Sequence, residues 1–108
     1  MGSFYKQEGG KFHLFNDVDK TDEKGEKQTV SELTHSSEQV VVAWCRIPDQ
    51  QNRVHVFTHG TMDGMQKWVE AHNSHSPHKA QLKVFDQSAP IMTINRAISD
   101  MEFFATLV

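Results

Sequence analysis

Nine consecutive residues, Gln39 to Ile47 (QVVVAWCRI), carry apolar side chains on both sides of any extended chain. Val40, Val42, Trp44 and Arg46 fall on one side; Val41, Ala43, Cys45 and Ile47 fall on the other. A strand with one face in water alternates apolar and polar, whereas a run apolar on both sides has to be covered on both. This stretch predicts a central strand, and the rest of the chain has to supply its neighbours and covering layers. Pro48 ends it and PDQQN forms the turn, so Arg53 to His59 is expected as the hairpin partner. On that partner, regular alternation puts Val54, Val56 and Thr58 on one face and Arg53, His55, Phe57 and His59 on the other. The second face is both aromatic and titratable.

Gly60 breaks that strand, and Thr61 is a helix cap with Asp63 in the first turn, where a carboxylate meets the positive end of the helix dipole. Met62, Met65, Trp68, Val69 and His72 recur at helical spacing and define the buried stripe of a helix that frays near Asn73. Ser76-Pro77 marks its boundary.

Toward the N-terminus, Ser3–Gln7 and Lys11–Asn16 are short apolar runs separated by Glu8-Gly9-Gly10, a hairpin signal because both glycines accept positive φ. Residues 16–27, NDVDKTDEKGEK, hold one apolar side chain in twelve and read as a mobile, solvated, charged loop. Asp17, Asp19, Thr21 and Glu23 alternate there as the ligands of a calcium loop do. Asp22 stands where such a loop needs glycine, and Gln28 where it needs a bidentate glutamate, so a solvated charge run is the better reading. Thr29-Val30-Ser31-Glu32 has capping-box form and predicts a short helix from Val30 to His35.

Beyond Pro77, HKAQLKVFDQ fits either a short helix or a strand. Ile91–Asn95 alternates as a strand, and Ser99-Asp100-Met101-Glu102 is a second capping box, predicting a helix over Asp100–Leu107. A helical stripe from Ile94 through Ala97, Ile98, Met101, Ala105 and Val108 is the competing pattern. The resulting order suggests an α+β domain over 1–108. It has an antiparallel sheet with helices on one face, a ferredoxin-like split βαβ arrangement, an extra N-terminal strand and a C-terminal helix.

The middle of the chain, PDQQNRVHVFTHGTMDGMQKWVEAHNSHSPHK (residues 48–79), resembles the dimeric α+β barrel superfamily. The shared rhythm is an acidic turn with Asn-Arg, a strand, a helix with a central aromatic residue, and then His with a Ser-Pro step. It covers about a third of the chain and includes no catalytic signature. The resemblance implies a ferredoxin-like fold dimerised through its sheets, with a pocket between sheet and helices. Members include small monooxygenases and haem-degrading enzymes.

Charge narrows the function classes. Eleven basic residues against fourteen acidic ones leave a net charge of -3, with the cations scattered among acids. That distribution is not the basic stripe of a nucleic-acid binder. No segment approaches the ~18–20 apolar residues of a membrane span, so no membrane partner is expected. A lone cysteine, Cys45, cannot form an internal disulfide, and the expectation is a reduced, cytoplasmic setting.

Five of the seven histidines lie between residues 55 and 78. On a strand, His55 and His59 sit ~13 Å apart, too far to share an ion. His72 and His75, one helical turn apart, are the candidate metal ligands, although no Cys-x-x-Cys or His-Glu-x-x-His accompanies them. The candidate ligand pocket comprises Trp44, Arg46, His55, Phe57, His59 and Trp68, with His55 or His59 as acid–base groups. No catalytic set assembles from these residues and no cofactor is implied. The leading expectation is a small homodimeric interaction module that binds a protein partner or a small apolar ligand. The alternatives are an enzyme of the dimeric α+β barrel type, close to the small monooxygenases, and a histidine-rich metal binder.

Overall fold

The structure, a computed structural model, describes residues 2–47 and 51–108. Among the described residues six strands and three helices follow in the order β1 (Ser3–Glu8), β2 (Lys11–Thr21), β3 (Lys27–Ser37), β4 (Val40–Ile47), β5 (Arg53–Gly60), α1 (Met62–His75), β6 (Gln81–Phe85), α2 (Ile91–Ser99) and α3 (Met101–Ala105); the turn expected over residues 48–52 lies partly outside them. The described strands form two antiparallel sheets of three, ordered β1-β2-β3 and β5-β4-β6.

β4 is the central strand that its two-faced sequence demands: Val40 through Cys45 are all buried. One face of β4 (Val40, Val42, Trp44) packs with Val54, Phe85, Ile94, Ala97 and Phe104, and with Tyr5, Phe12 and Leu14 of the first sheet. The opposite face (Val41, Ala43) packs on Met65, with Met62, Trp68, Val69 and Leu82 around it. The β5-β4-β6 sheet is therefore enclosed by α1 on one side and by α2, α3 and the β1–β3 meander on the other. Burying each Val or Phe of this core contributes roughly 1.5–3 kcal/mol.

Helices on both faces and a divided set of strands replace the single one-sided ferredoxin-like sheet. The reason lies in two segments. The crossover helix expected over Val30–His35 is part of β3, and the strand expected over Ile91–Asn95 is the first half of α2. β3 forms because Thr29 and Ser31 donate their hydroxyls across the hairpin to Asp19 (2.9 Å) and Asp17 (3.1 Å) rather than capping a helix. Without that crossover and that strand, the split βαβ topology has no frame. Along α2, Ile94 and Ala97 are fully buried and Ile98 packs beside them, so the 3.6-residue stripe prevails over the period-2 pattern.

Residues 16–27 are likewise not a charged loop. β2 extends through Thr21, β3 begins at Lys27, and only 22–26 turn. The polar side chains pair with one another across the strands: Lys20 with Glu32, Asp17 with Ser31, Asp19 with Thr29, and Asn16 with Thr34 at 2.7 Å. Asp22 organises the turn by accepting from the amides of Lys24 and Glu26, each at 2.9 Å, and Gly25 (φ 80°) takes the left-handed position.

The other expectations hold more closely. Gly9 (φ 63°) and Gly10 (φ 74°) close the β1–β2 hairpin, as their positive-φ tolerance predicts. Thr61 caps α1 through its hydroxyl, which accepts from Gly64 N at 3.1 Å. The undecided stretch after Pro77 contains β6. Asp100, rather than Ser99, caps α3 by accepting from Phe103 N at 3.2 Å.

Candidate functional site

The candidate pocket residues divide between the two faces of the β5-β4-β6 sheet, and a single bulge divides them. In the β4–β5 ladder Ala43 pairs with Thr58, and the next residue, Trp44, pairs with Val56. Phe57 is left over. An extra residue in one strand resets the alternation beyond it. His55, opposite Cys45, and Phe57 therefore face α1, while His59, opposite Val42, faces the meander. Trp44 lies on the meander side as well, edge-on to Phe104 with ring centroids 6.1 Å apart, and the Arg46 guanidinium sits 5.9 Å from the Trp44 ring. Trp44, Arg46 and His59 are thus on one face, with His55, Phe57 and Trp68 on the other.

On the α1 side the rings form a continuous set. His55 contacts Phe57 (4.7 Å), Phe57 contacts Trp68 (5.1 Å) and His72 (4.8 Å), and Trp68 stacks on His72 at 4.9 Å and 10°. Spacing along α1 places Trp68 and His72 one turn apart, and the bulge aims Phe57 at both. An open depression of about 340 Å³ adjoins them, lined by Trp68, Ala71, His72, His75 and Ser76. The Nε2 of His72 is buried without a partner among the described residues. His75 is exposed at the end of the helix. Among the described residues no three His, Cys, Asp or Glu side chains converge as metal ligands, so His72 and His75 have no third donor beside them.

On the meander side a second cluster emerges that spacing alone could not reveal, because its members come from residues 5, 35 and 59. The Tyr5 hydroxyl lies 2.7 Å from His59 Nδ1, and the two rings meet edge to face at 5.3 Å. Burial holds the Tyr5 phenol far above its ordinary value, so it stays protonated and hydrogen-bonded to Nδ1. His59 is held below the ordinary histidine value, first by burial and then by the neighbouring His35; burial lowers His35 too. The His35 Nε2 is buried with no partner among the described residues. Cys45, with no exposed surface, has its thiol pushed up by burial, which removes the thiolate a nucleophile needs.

Among the described residues no helix covers the outer face of the β1–β3 meander. Phe4 and Phe15 stack across β1 and β2 with centroids 5.5 Å apart, and Phe15 pairs in register with Leu33 of β3. Leu33 is 57% exposed. The Lys6 ammonium lies 5.8 Å from the Phe4 ring and 5.1 Å from the Phe15 ring. These residues form one apolar row across an otherwise polar sheet face. The alternation of β1 and β2 could have shown Phe4 and Phe15 to be outward-facing, but the expected helix over 30–35 hid Leu33.

Comparison with protein-family models, with curated proteins and with solved structures finds no match for this chain. No helix among the described residues is long and apolar enough to cross a membrane.

Proposed function

We propose that this protein is a small self-associating interaction module that binds through the outer face of its three-stranded meander, with a second copy of the chain as the partner. The observation that carries this reading is the row Phe4–Phe15–Leu33, which crosses all three strands and ends in an exposed leucine. Contiguous apolar surface of this kind on a small protein is characteristic of an association site. An isologous pairing would lay each row on its symmetry mate, burying the leucine that neither copy covers alone. The buried, raised thiol of Cys45 and the separation of His55 from His59 support a binding role over a catalytic one.

Leu33→Asp tests the reading, because residue 33 touches no core residue cluster and its loss should leave folding intact. Light scattering should report a dimer for the unmodified protein and a monomer for the variant. A monomer in both cases removes the reading.

The stacked Trp68 and His72 rings beside the open depression along α1 favour a second reading, in which that depression takes a small apolar ligand. This is the remaining form of the dimeric α+β barrel expectation, with Trp68, His72 and His75 lining the depression and Phe57 against the Trp68 and His72 rings. His72→Ala should then weaken binding in a screen of aromatic fragments, and equal binding would exclude it.

A further inference from the structure

We infer that the two copies meet with their strands antiparallel, about a two-fold axis running along the row Phe4–Phe15–Leu33. Ion pairs of Asp19 with Lys11 and of Asp17 with Lys6 select that arrangement, which rests on the association through the meander's outer face proposed above. The outward side chains of β2, in order, are Lys11, His13, Phe15, Asp17 and Asp19, since Phe12 and Leu14 between them are buried. Basic groups thus lie on one side of Phe15 and acids on the other. β1 continues the pattern, with Lys6 in register with His13 and Phe4 with Phe15. β3 adds no charge beside the row: Ser36 stands opposite His13, Ser31 opposite Asp17 and Thr29 opposite Asp19.

At about 3.3 Å per residue, Asp17 and Asp19 lie ~7 and ~13 Å to one side of Phe15, and His13 and Lys11 lie as far to the other. An axis along the row therefore sets Asp19 of one copy over Lys11 of the second, and Asp17 over His13 and its neighbour Lys6. Each pair forms twice by symmetry. Packed sheets lie about 10 Å apart and cross at about 30°, which shifts the outer pair sideways by roughly 6 Å, within reach of a lysine stem. The other axis that lays the row on itself runs along the strands. It would set Asp17 over Asp17, Asp19 over Asp19 and Lys11 over Lys11, and such like-charge contacts oppose association.

The charged groups are available for these pairs. Among the described residues the ion pairs are Lys20–Glu32, Lys67–Asp63 and Arg96–Asp100, and none of them uses Lys6, Lys11, Asp17 or Asp19. Asp17 and Asp19 each accept a β3 hydroxyl through Oδ1, which leaves Oδ2 for a second partner. Lys6 already leans over the Phe4 and Phe15 rings, toward the row. Lys11 and Asp19 are exposed. The two outward charges that depart from the division, Glu8 and Lys27, stand at the far ends of the face, in register with Lys11 and Thr21.

Sedimentation equilibrium of the full chain and a charge exchange test this. Lys11→Glu and Asp19→Lys should each weaken dimerisation about tenfold, because each reverses two symmetry-related pairs. The double variant Lys11→Glu/Asp19→Lys should recover the affinity of the unmodified protein. Unchanged affinity in the single variants, or a double variant weaker than either, overturns the antiparallel arrangement; a dimer that Leu33→Asp still dissociates would then leave the meander interface standing. A monomeric unmodified protein removes both. Should Asp19→Lys unsettle the β2–β3 hairpin, the salt dependence of the unmodified dimer decides. Its dissociation constant should rise several-fold between ~0.05 and ~0.5 M salt as attraction is screened. A constant that falls, as screened repulsion would make it, or that does not move, contradicts the inference.

Discussion

The side-chain amide of Asn95 takes the place of a neighbouring strand for Tyr5: its Oδ1 accepts from Tyr5 N at 2.7 Å, and its Nδ2 donates to Tyr5 O at 2.9 Å. β1 is an edge strand, and this one residue of α2 satisfies both of its outward backbone groups at the point where Tyr5 enters the core. Asn73 of α1 makes the same kind of clamp on Ala80, immediately before β6. Edges closed in this way cannot template another chain at those positions.

Asn95→Ala should therefore lower stability by about 1–3 kcal/mol, the cost of leaving part-buried backbone groups unpaired. Asn95→Asp should be no better, since a carboxylate keeps the acceptor but turns an oxygen toward the Tyr5 carbonyl. Urea unfolding of both variants checks this, and a change near zero for alanine would mean that water replaces the amide without loss.

Cys45 should be inert toward a thiol reagent in the native protein. It has no exposed surface and burial raises its thiol, so reaction has to wait for unfolding. The labelling rate should follow the unfolding equilibrium as urea is added. Rapid native labelling would place the β4–β5 ladder in a more open state.

Phe57→Ala should cost about 2–3 kcal/mol, below the range for a fully buried phenylalanine because the ring is half-buried. It removes the contacts to His55, Trp68 and His72 together. Trp68 emission should shift to the red, and the shift should persist with Trp44→Phe as background. An unshifted spectrum would mean that the ring set is not held by Phe57.

The elements that sequence defined best are those whose pattern and punctuation agree. β4 has apolar residues on both sides and a proline at its end; α1 has a threonine cap, an early aspartate and a 3.6-residue stripe; Gly9-Gly10 has no other use. The failures share a cause, which is that a local signal was decided by a distant partner. Thr29-Val30-Ser31-Glu32 has the form of a helix cap, yet its hydroxyls are consumed by Asp17 and Asp19 on the opposite strand. Ile91–Asn95 alternates like a strand, yet Ile94 belongs to a core stripe that includes Ala97. The site suffered most from one residue. Alternation assigns His55, Phe57 and His59 to a single face, and the bulge at Phe57, which leaves no mark in composition or spacing, sends His59 to the other. Tyr5 and His35 could not be joined to His59 without the tertiary structure.

The central claim, self-association through the meander's outer face, is tested most directly by an NMR dilution series on the unmodified protein. The account predicts concentration-dependent amide shifts that map onto Phe4, Lys6, Phe15 and Leu33 and spare α1, and that disappear in Leu33→Asp. Spectra that do not change with concentration, or changes that map onto the α1 face instead, would contradict it.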